Sequence, residues 1–308
     1  MAPLSPCGRG AGGEGARSPT QPQHPSHNTL MNIPHSTPRP RLGTLYGVSL
    51  GPGDPGLITR RAWALLARRD AAWVYPARST KTPSYAFDIV QRAELAPPAD
   101  HQSLLFPMTH DGEKLARAWL RAAEVVLPKL LAGQDVLFLV EGDASTYATF
   151  GHLARTLRQL DARIPVEVVA GVNAFTAACA TQAEPLCEQD DTVALVPAAY
   201  GVAALQRLLQ DFDTLVLLKV KPLLGELIDW LDAQGLLAHS RFIERCGAPD
   251  EQVVNTPAGL LALRGVKVSY LSLLIVKNPH RVRGERIRGC LKKTSAPVAQ
   301  PQTEEADA

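Results

Sequence analysis

"LGPGDPG", residues 50–56, contains Gly51-Pro52-Gly53-Asp54-Pro55-Gly56, which spells G-x-G-x-x-G. The stretch before it, TLYGVSL (44–50), reads as a buried strand, and after it Leu57, Ile58, Ala62, Leu65 and Leu66 recur at helical spacing. A glycine-rich strand-to-helix turn usually suggests a dinucleotide site, in which helix N-terminal amides face a pyrophosphate. The residues between the glycines argue against that use. Asp54 stands at the N-cap position with Pro55 at the favoured first helical position, so its carboxylate would occupy the amides and repel a phosphate. Pro52 removes a further backbone donor. No lysine follows to make a P-loop, and the nearest downstream acid, Asp70, comes too early for a ribose partner. The turn either serves geometry alone or lines a site for something other than a phosphate.

Two more glycine turns favour the second possibility. The apolar run DVLFLV (135–140) ends in Glu141-Gly142-Asp143, and VEVV (166–169) ends in Ala170-Gly171-Val172-Asn173. Ligands of open α/β sheets lie outside the carboxyl ends of the strands, where these three turns would converge. Strands are predicted at 44–50, 72–75 (stopped by Pro76), 103–106, 135–140, 166–169, 192–196, 214–218, 241–244 and 267–277. Helices are predicted at 57–66, 85–95, 113–131 (bent near Pro128), 147–160, 173–182, 202–210 and 223–234. The alternation implies an α/β fold. Its first half is a mainly parallel N-terminal sheet. Its second half is a mixed C-terminal sheet, because no obvious helix separates the final strands. The expected division is an N-terminal extension at 1–40, one α/β domain at 41–162, a second at 163–280 and a polar tail at 281–308.

Composition narrows the function classes. The chain has 308 residues, 45% hydrophobic and 20% charged, as in an ordinary globular protein. Residues 1–40 hold eight of the 25 prolines and five glycines without apolar periodicity, a composition that cannot offset ordering entropy. An over-extended start with Met31 as the true first residue is the reading taken, with an organelle transit peptide as the alternative. Without that segment 29 Lys and Arg face 29 Asp and Glu, so there is no basic surplus for nucleic acid. The longest apolar runs are strand-length, which predicts a soluble chain with no membrane partner. Cys7, Cys179, Cys187, Cys246 and Cys290 form no C-x-x-C pair, and His24 and His27 stand in the disordered extension. No protein-bound metal is expected, and the reduced cytoplasm is the expected compartment.

Four stretches together resemble the tetrapyrrole methylases: LYGVSLGPGDPGLIT (45–59), FLVEGDASTYATF (138–150), VEVVAGVNAFTAA (166–178) and YLSLLIVKN (270–278). Tyr75-Pro76, LLKVK (217–221) and IERCGAPDE (243–251) are most similar to the branch that methylates carbon 20 of precorrin-2. The resemblance implies a two-domain homodimeric enzyme with S-adenosylmethionine in the interdomain cleft and a tetrapyrrole as its small-molecule substrate. It places Pro52, Glu141, Gly142, Asp143, Thr146, Asn173, Ala174, Lys219, Cys246 and Gly247 around the cofactor. The chain departs from the family pattern in carrying Ser49 for glycine, Ala144 for proline after Gly-Asp, and Ala170 for proline before Gly171. Tyr75-Pro76-Ala77-Arg78 lacks the aspartate carried by members that act on uroporphyrinogen.

A tetrapyrrole carries carboxylates on its rim, and Arg78, Lys81, Lys219, Lys221 and Arg245 fall near strand ends predicted to face the cleft. The ordinary role of any one such cation is to lie solvated on the surface. Tyr147 is expected beside the bound ligands and Phe150 in the core. His110 and His152 are the histidines nearest the turns, and Cys246 reads as packing. Methyl transfer from a sulfonium needs alignment and exclusion of water, so no catalytic triad is required and no catalytic residue is assigned. The alternatives are a methyltransferase of the same fold acting on another corrin position, an rRNA ribose or a modified protein residue, and a non-catalytic nucleotide-binding α/β domain.

Overall fold

The computed structural model describes residues 41–282. The expected extension at 1–40, the Met31 start, nearly all of the 281–308 tail, Cys7, Cys290, His24 and His27 lie outside the described residues.

Five strands form the first sheet: β1 (Leu45–Ser49), β2 (Ala72–Ala77), β3 (His101–Leu105), β4 (Val136–Val140) and β5 (Val166–Val169). Their order is β3-β2-β4-β1-β5, and every pairing is parallel. Each residue of β4 (VLFLV) is buried because helices cover both faces of the sheet. Leu137 and Leu139 pack with α1 (Arg60–Leu66) and α2 (Tyr85–Arg92). Val136, Phe138 and Val140 face the other way, against α3 (Gly112–Leu131) and α4 (Phe150–Leu160). Gly47, in the middle of β1, is required by this packing: a Cβ there would sit 2.8 Å from the Phe150 ring.

The chain leaves β1 across one face towards β2 and leaves β4 across the other towards β5. The loops after β1 and β4 therefore diverge at a topological switch point, the usual crevice of such sheets. After α5 (Ala174–Thr181) come β6 (Val193–Pro197), α6 (Val202–Asp211), β7 (Thr214–Leu218), α7 (Leu224–Ala233) and β8 (Ser240–Glu244). β9 (Gln252–Val254), α8 (Pro257–Ala262) and β10 (Ser272–Lys277) complete the described chain. The second sheet has the order β6-β7-β10-β8-β9, with β6 parallel to β7 and the other pairs antiparallel. α6, α7 and α8 cover one face and α5 the other. The expected α/β class, with a parallel sheet followed by a mixed one, is observed.

Several local expectations are corrected. Pro76 does not stop β2; the strand runs to Ala77, because past Val74 it pairs with β3 alone and a missing N–H costs no bond towards β4. The predicted 147–160 helix starts only at Phe150, since Tyr147 has φ +50° and turns the chain before the helix. The predicted 267–277 strand starts at Ser272. Ahead of it Ser269 folds the backbone, its Oγ accepting from the Leu271 N–H at 3.2 Å and its carbonyl from the Ser272 hydroxyl at 2.9 Å. Strand β9 and helix α8, capped by Thr256, were not expected. β5 pairs with β1 and so belongs to the first sheet.

Candidate active site at the junction of the two sheets

The three glycine turns converge. Gly51 and Gly142 exchange both backbone hydrogen bonds, 3.2 Å and 2.7 Å, tying the loop after β1 to the loop after β4. Both have left-handed φ, +77° and +75°; a Cβ on Gly142 would meet no neighbour, so conformation rather than space selects glycine there. The third turn comes closer still. A Cβ on Gly171 would lie 2.3 Å from Ser49 Cβ and 2.7 Å from the Gly142 carbonyl oxygen.

Asp143 clamps the second and third turns. It is 6% exposed, and its Oδ2 accepts from the Gly171 N–H at 2.7 Å. Its Oδ1 accepts from the Ser145 N–H at 2.8 Å and from the Ser145 hydroxyl. Burial alone would raise this carboxyl, but the donors from Ser145, Gly171 and Thr146 outweigh it and hold it below the usual carboxylate range. Two departures from the family pattern meet here: the Ala144 N–H donates to Ser49 Oγ at 2.8 Å, a bond that proline at 144 or glycine at 49 would abolish.

In the first turn Asp54 is the N-cap, accepting from the Gly56 N–H at 2.8 Å, with Pro55 at the first position of a short 3₁₀ turn. The helix expected to follow directly from Leu57 starts instead at Arg60, where Thr59 is its N-cap and accepts from the Ala62 N–H at 3.3 Å, so Asp54 caps the short turn ahead of α1 and not α1 itself. Gly53 of the same turn abuts the second sheet: a Cβ there would be 2.5 Å from the Cys246 carbonyl oxygen and 2.8 Å from the Ala248 nitrogen. Tyr85 donates its hydroxyl to the Pro52 carbonyl at 3.2 Å.

β6, β7 and β8 end on the side of the second sheet that faces these turns. Three cation–ring pairs span the junction, each joining a cation on one sheet's side to a tyrosine on the other's: Arg78 over Tyr270 at 4.5 Å, Lys219 over Tyr147 at 5.6 Å and Arg245 over Tyr85, the first residue of α2, at 5.3 Å. Tyr147 also donates to the Leu195 carbonyl at 3.3 Å. Tyr147, Lys219 and Arg245 all have left-handed φ, +50°, +58° and +52°, so these contacts are held at some backbone cost.

Glu141, where β4 ends, is half-buried beside these groups. Burial pushes its carboxyl up, opposed by its own amide and by the nearby Arg78 guanidinium. Asn173 occupies the N-cap of α5 but makes no capping bond, leaving its carboxamide and the first amides of α5 available to a ligand. The Cys246 thiol donates to the Ala174 carbonyl at 3.5 Å; burial, with the Glu251 carboxylate adding, pushes it up to about 12. It is a neutral packing group. The Gly247 N–H donates to Glu251.

The structure thus brings together Pro52, Glu141, Gly142, Asp143, Thr146, Asn173, Ala174, Lys219, Cys246 and Gly247, with Arg78, Tyr147 and Arg245. It leaves Lys81 and Lys221 exposed, with no part in the three cation–ring pairs. Arg245 is already committed to Asp250, its Nε donating at 2.6 Å. His110 is exposed, and His152 stacks on Trp119 with centroids 4.2 Å apart, on the helix layer formed by α3 and α4. Sequence reasoning missed Tyr85 and Tyr270. Tyr270 opens one of the quoted stretches and could have been marked; Tyr85 has no local signal, because its place depends on where Arg245 falls.

Residues 44–262 match the family described as Tetrapyrrole (Corrin/Porphyrin) Methylases, which is most of the chain. The chain belongs to the tetrapyrrole methylase family. It is 30% identical over 247 residues to the cobalamin biosynthesis protein CobIJ of Mycobacterium tuberculosis, an alignment spanning 78% of this chain and 47% of that one. This chain therefore covers about half the length of that relative. It is 31% identical over 210 residues to the cobalt-precorrin-2 C(20)-methyltransferase of Salmonella typhimurium, covering 68% of this chain and 86% of the relative. Among solved structures it resembles the uroporphyrin-III C-methyl transferase of Thermus thermophilus complexed with S-adenyl homocysteine, at 26% identity and TM-score 0.52 over 76% of this chain and 97% of that one. No described helix is long and apolar enough to cross a membrane. Among the described residues no group of three or more His, Cys, Asp or Glu is arranged to hold a metal ion.

Proposed function

We propose that this chain transfers a methyl group from S-adenosylmethionine to carbon 20 of precorrin-2 or its cobalt form, in cobalamin biosynthesis. The observation that carries the reading is the convergence of the strand-end turns of both sheets on one junction. Such a site suits a ligand held through backbone groups rather than a pyrophosphate. The Salmonella relative, covered over most of its length, supports carbon 20 over other ring positions.

The donor set fits S-adenosylmethionine. The first amides of α5 and the Asn173 carboxamide have no capping commitment, and the backbone around Gly142 is open to close approach. Pro52, Glu141, Gly142, Asp143, Thr146, Asn173, Ala174, Lys219, Cys246 and Gly247 would line its pocket. When bound it supplies an electrophilic methyl. The chain's part is to align that methyl with the ring carbon, keep water out and hold the turns rigid through the Asp143 clamp, which is proximity and orientation. Arg78 and Lys219 rest on tyrosine rings rather than on carboxylates, so each can turn to a rim carboxylate of the tetrapyrrole without first breaking an ion pair. Arg245, held by Asp250, shapes the junction.

The reading includes a homodimer in the cytoplasm, no nucleic-acid or membrane partner, no protein-bound metal, and two α/β domains, 41–162 and 163–280. It is tested by calorimetric titration with S-adenosylmethionine and S-adenosylhomocysteine, followed by anaerobic incubation with each form of precorrin-2 and mass analysis. Micromolar binding and the gain of one methyl are expected; tight cofactor binding with no gain on either form would turn the search to the family's other acceptors.

A further inference from the structure

Methylation of a ring carbon that carries hydrogen leaves one proton too many, and nothing above says where it goes. The junction holds one carboxylate that structural bonds do not consume. Asp143 is spent on Gly171 and Ser145, Asp54 on Gly56, Asp250 on Arg245 and Glu251 on Gly247. Glu141 has no ion pair among the described residues, and its own amide is the donor facing it. It stands at the end of the central strand β4, immediately before the Gly142 backbone that locks the turns together.

The charged and titratable groups around it come from two other elements. Arg78, from the end of β2, lies close enough to act on the carboxylate electrostatically, with its guanidinium over the Tyr270 ring. Tyr270, just ahead of β10, feels both Arg78 and Glu141, and burial pushes its phenol up, so it stays protonated at neutral pH. The only group of this cluster able to take a proton near neutrality is therefore the carboxylate. Arg78 steadies its ionised form, while burial gives it a greater proton affinity than an ordinary surface carboxylate has.

We propose that Glu141 is the proton acceptor for the methylated ring carbon. The inference rests on the function proposed above. In the step assigned to Glu141, the C–H bond of the newly methylated carbon breaks. Its electron pair returns to the ring π system and discharges the positive charge left by methylation, and the proton forms an O–H bond to the Glu141 carboxylate. The proton later passes to solvent as product leaves. No further oxidant, reductant or co-reactant is needed.

The test compares wild type with Glu141→Gln and Glu141→Asp, using precorrin-2 under anaerobic conditions, with calorimetric S-adenosylhomocysteine affinity as the check on folding and cofactor binding. At saturating S-adenosylmethionine Glu141→Gln should lose roughly a hundredfold or more in kcat, the scale of a general base, beyond whatever it changes in S-adenosylhomocysteine affinity. In wild type kcat should fall as pH drops through a value above the ordinary carboxylate pKa of about 4.3; Glu141→Asp should keep activity with that acidic limb displaced. Infrared difference spectra between low and neutral pH should show a protonated-carboxyl band in wild type that Glu141→Gln lacks, a readout independent of turnover. Glu141→Gln retaining kcat within threefold, or a wild-type acidic limb that Glu141→Asp leaves in place, overturns the role of Glu141 and leaves the methylation reading standing. No methyl gain in wild type itself overturns both.

Discussion

Removing the Ser49 hydroxyl should harm the fold only while residue 144 has an N–H to lose. Ser49 and Ala144 are 0% and 4% exposed, and their 2.8 Å hydrogen bond joins the end of β1 to the loop after β4. In Ser49→Ala the Ala144 N–H is left buried without a partner, which costs about 1–3 kcal/mol. For a chain of this size that lowers the melting midpoint by roughly 2–4 °C per kcal/mol. In the Ala144→Pro background no N–H exists, so the same Ser49→Ala change should be close to neutral. The coupling across the double-mutant cycle should therefore be about 1–2 kcal/mol, read from urea unfolding with an unchanged m-value. The cycle cancels any separate cost of proline at 144. A Ser49→Ala cost that agrees in the two backgrounds within about 0.5 kcal/mol would refute the idea that these two departures from the family pattern compensate each other.

Gly53→Ala should destabilise by about 1–3 kcal/mol and weaken S-adenosylhomocysteine binding, because the new methyl meets, besides the Tyr85 hydroxyl, the Cys246 and Ala248 backbone, which cannot swing away; equal stability by denaturation would mean that the turn and the second sheet are less tightly apposed than described. The Asp143 carboxyl is held below its usual range in the folded state, so its contribution is fully present above the unfolded pKa of about 3.9 and is lost as pH falls through the lower folded value. Asp143→Asn should accordingly flatten the acid side of a stability-against-pH curve, and an unchanged slope would remove the clamp from the account. Cys246, with its thiol pushed up to about 12 and its side chain buried, should resist iodoacetamide at pH 8 in the native protein, whereas exposed Cys187 should be alkylated, as peptide mapping would show.

Where local chemistry decides structure, the sequence was a good guide. Asp54 and Pro55 announced the capped turn, the unbroken apolar run of β4 announced a strand buried on both faces, and three glycine turns after strands announced a common crevice. Failures came where a distant partner decides. Pro76 is tolerated because β4 no longer runs alongside, and Tyr147 leaves the helix to reach Leu195, 48 positions on. β5 looked like the start of the second half but joins β1, since parallel pairing is set by topology that composition does not record. At the site, the cations near strand ends were visible, but their fates were not. Arg245 is bound to Asp250 while Arg78 and Lys219 rest on tyrosines, and Lys81 and Lys221 are exposed.

The most direct measurement of the central claim is an anaerobic reaction with S-adenosylmethionine carrying a ¹³C-labelled methyl, offered separately with precorrin-2 and cobalt-precorrin-2, with the product's labelled carbon located by NMR. A single labelled methyl on carbon 20 is the predicted result, and the faster substrate identifies the form the enzyme uses. A label at any other ring position, or none despite measured cofactor binding, would contradict it.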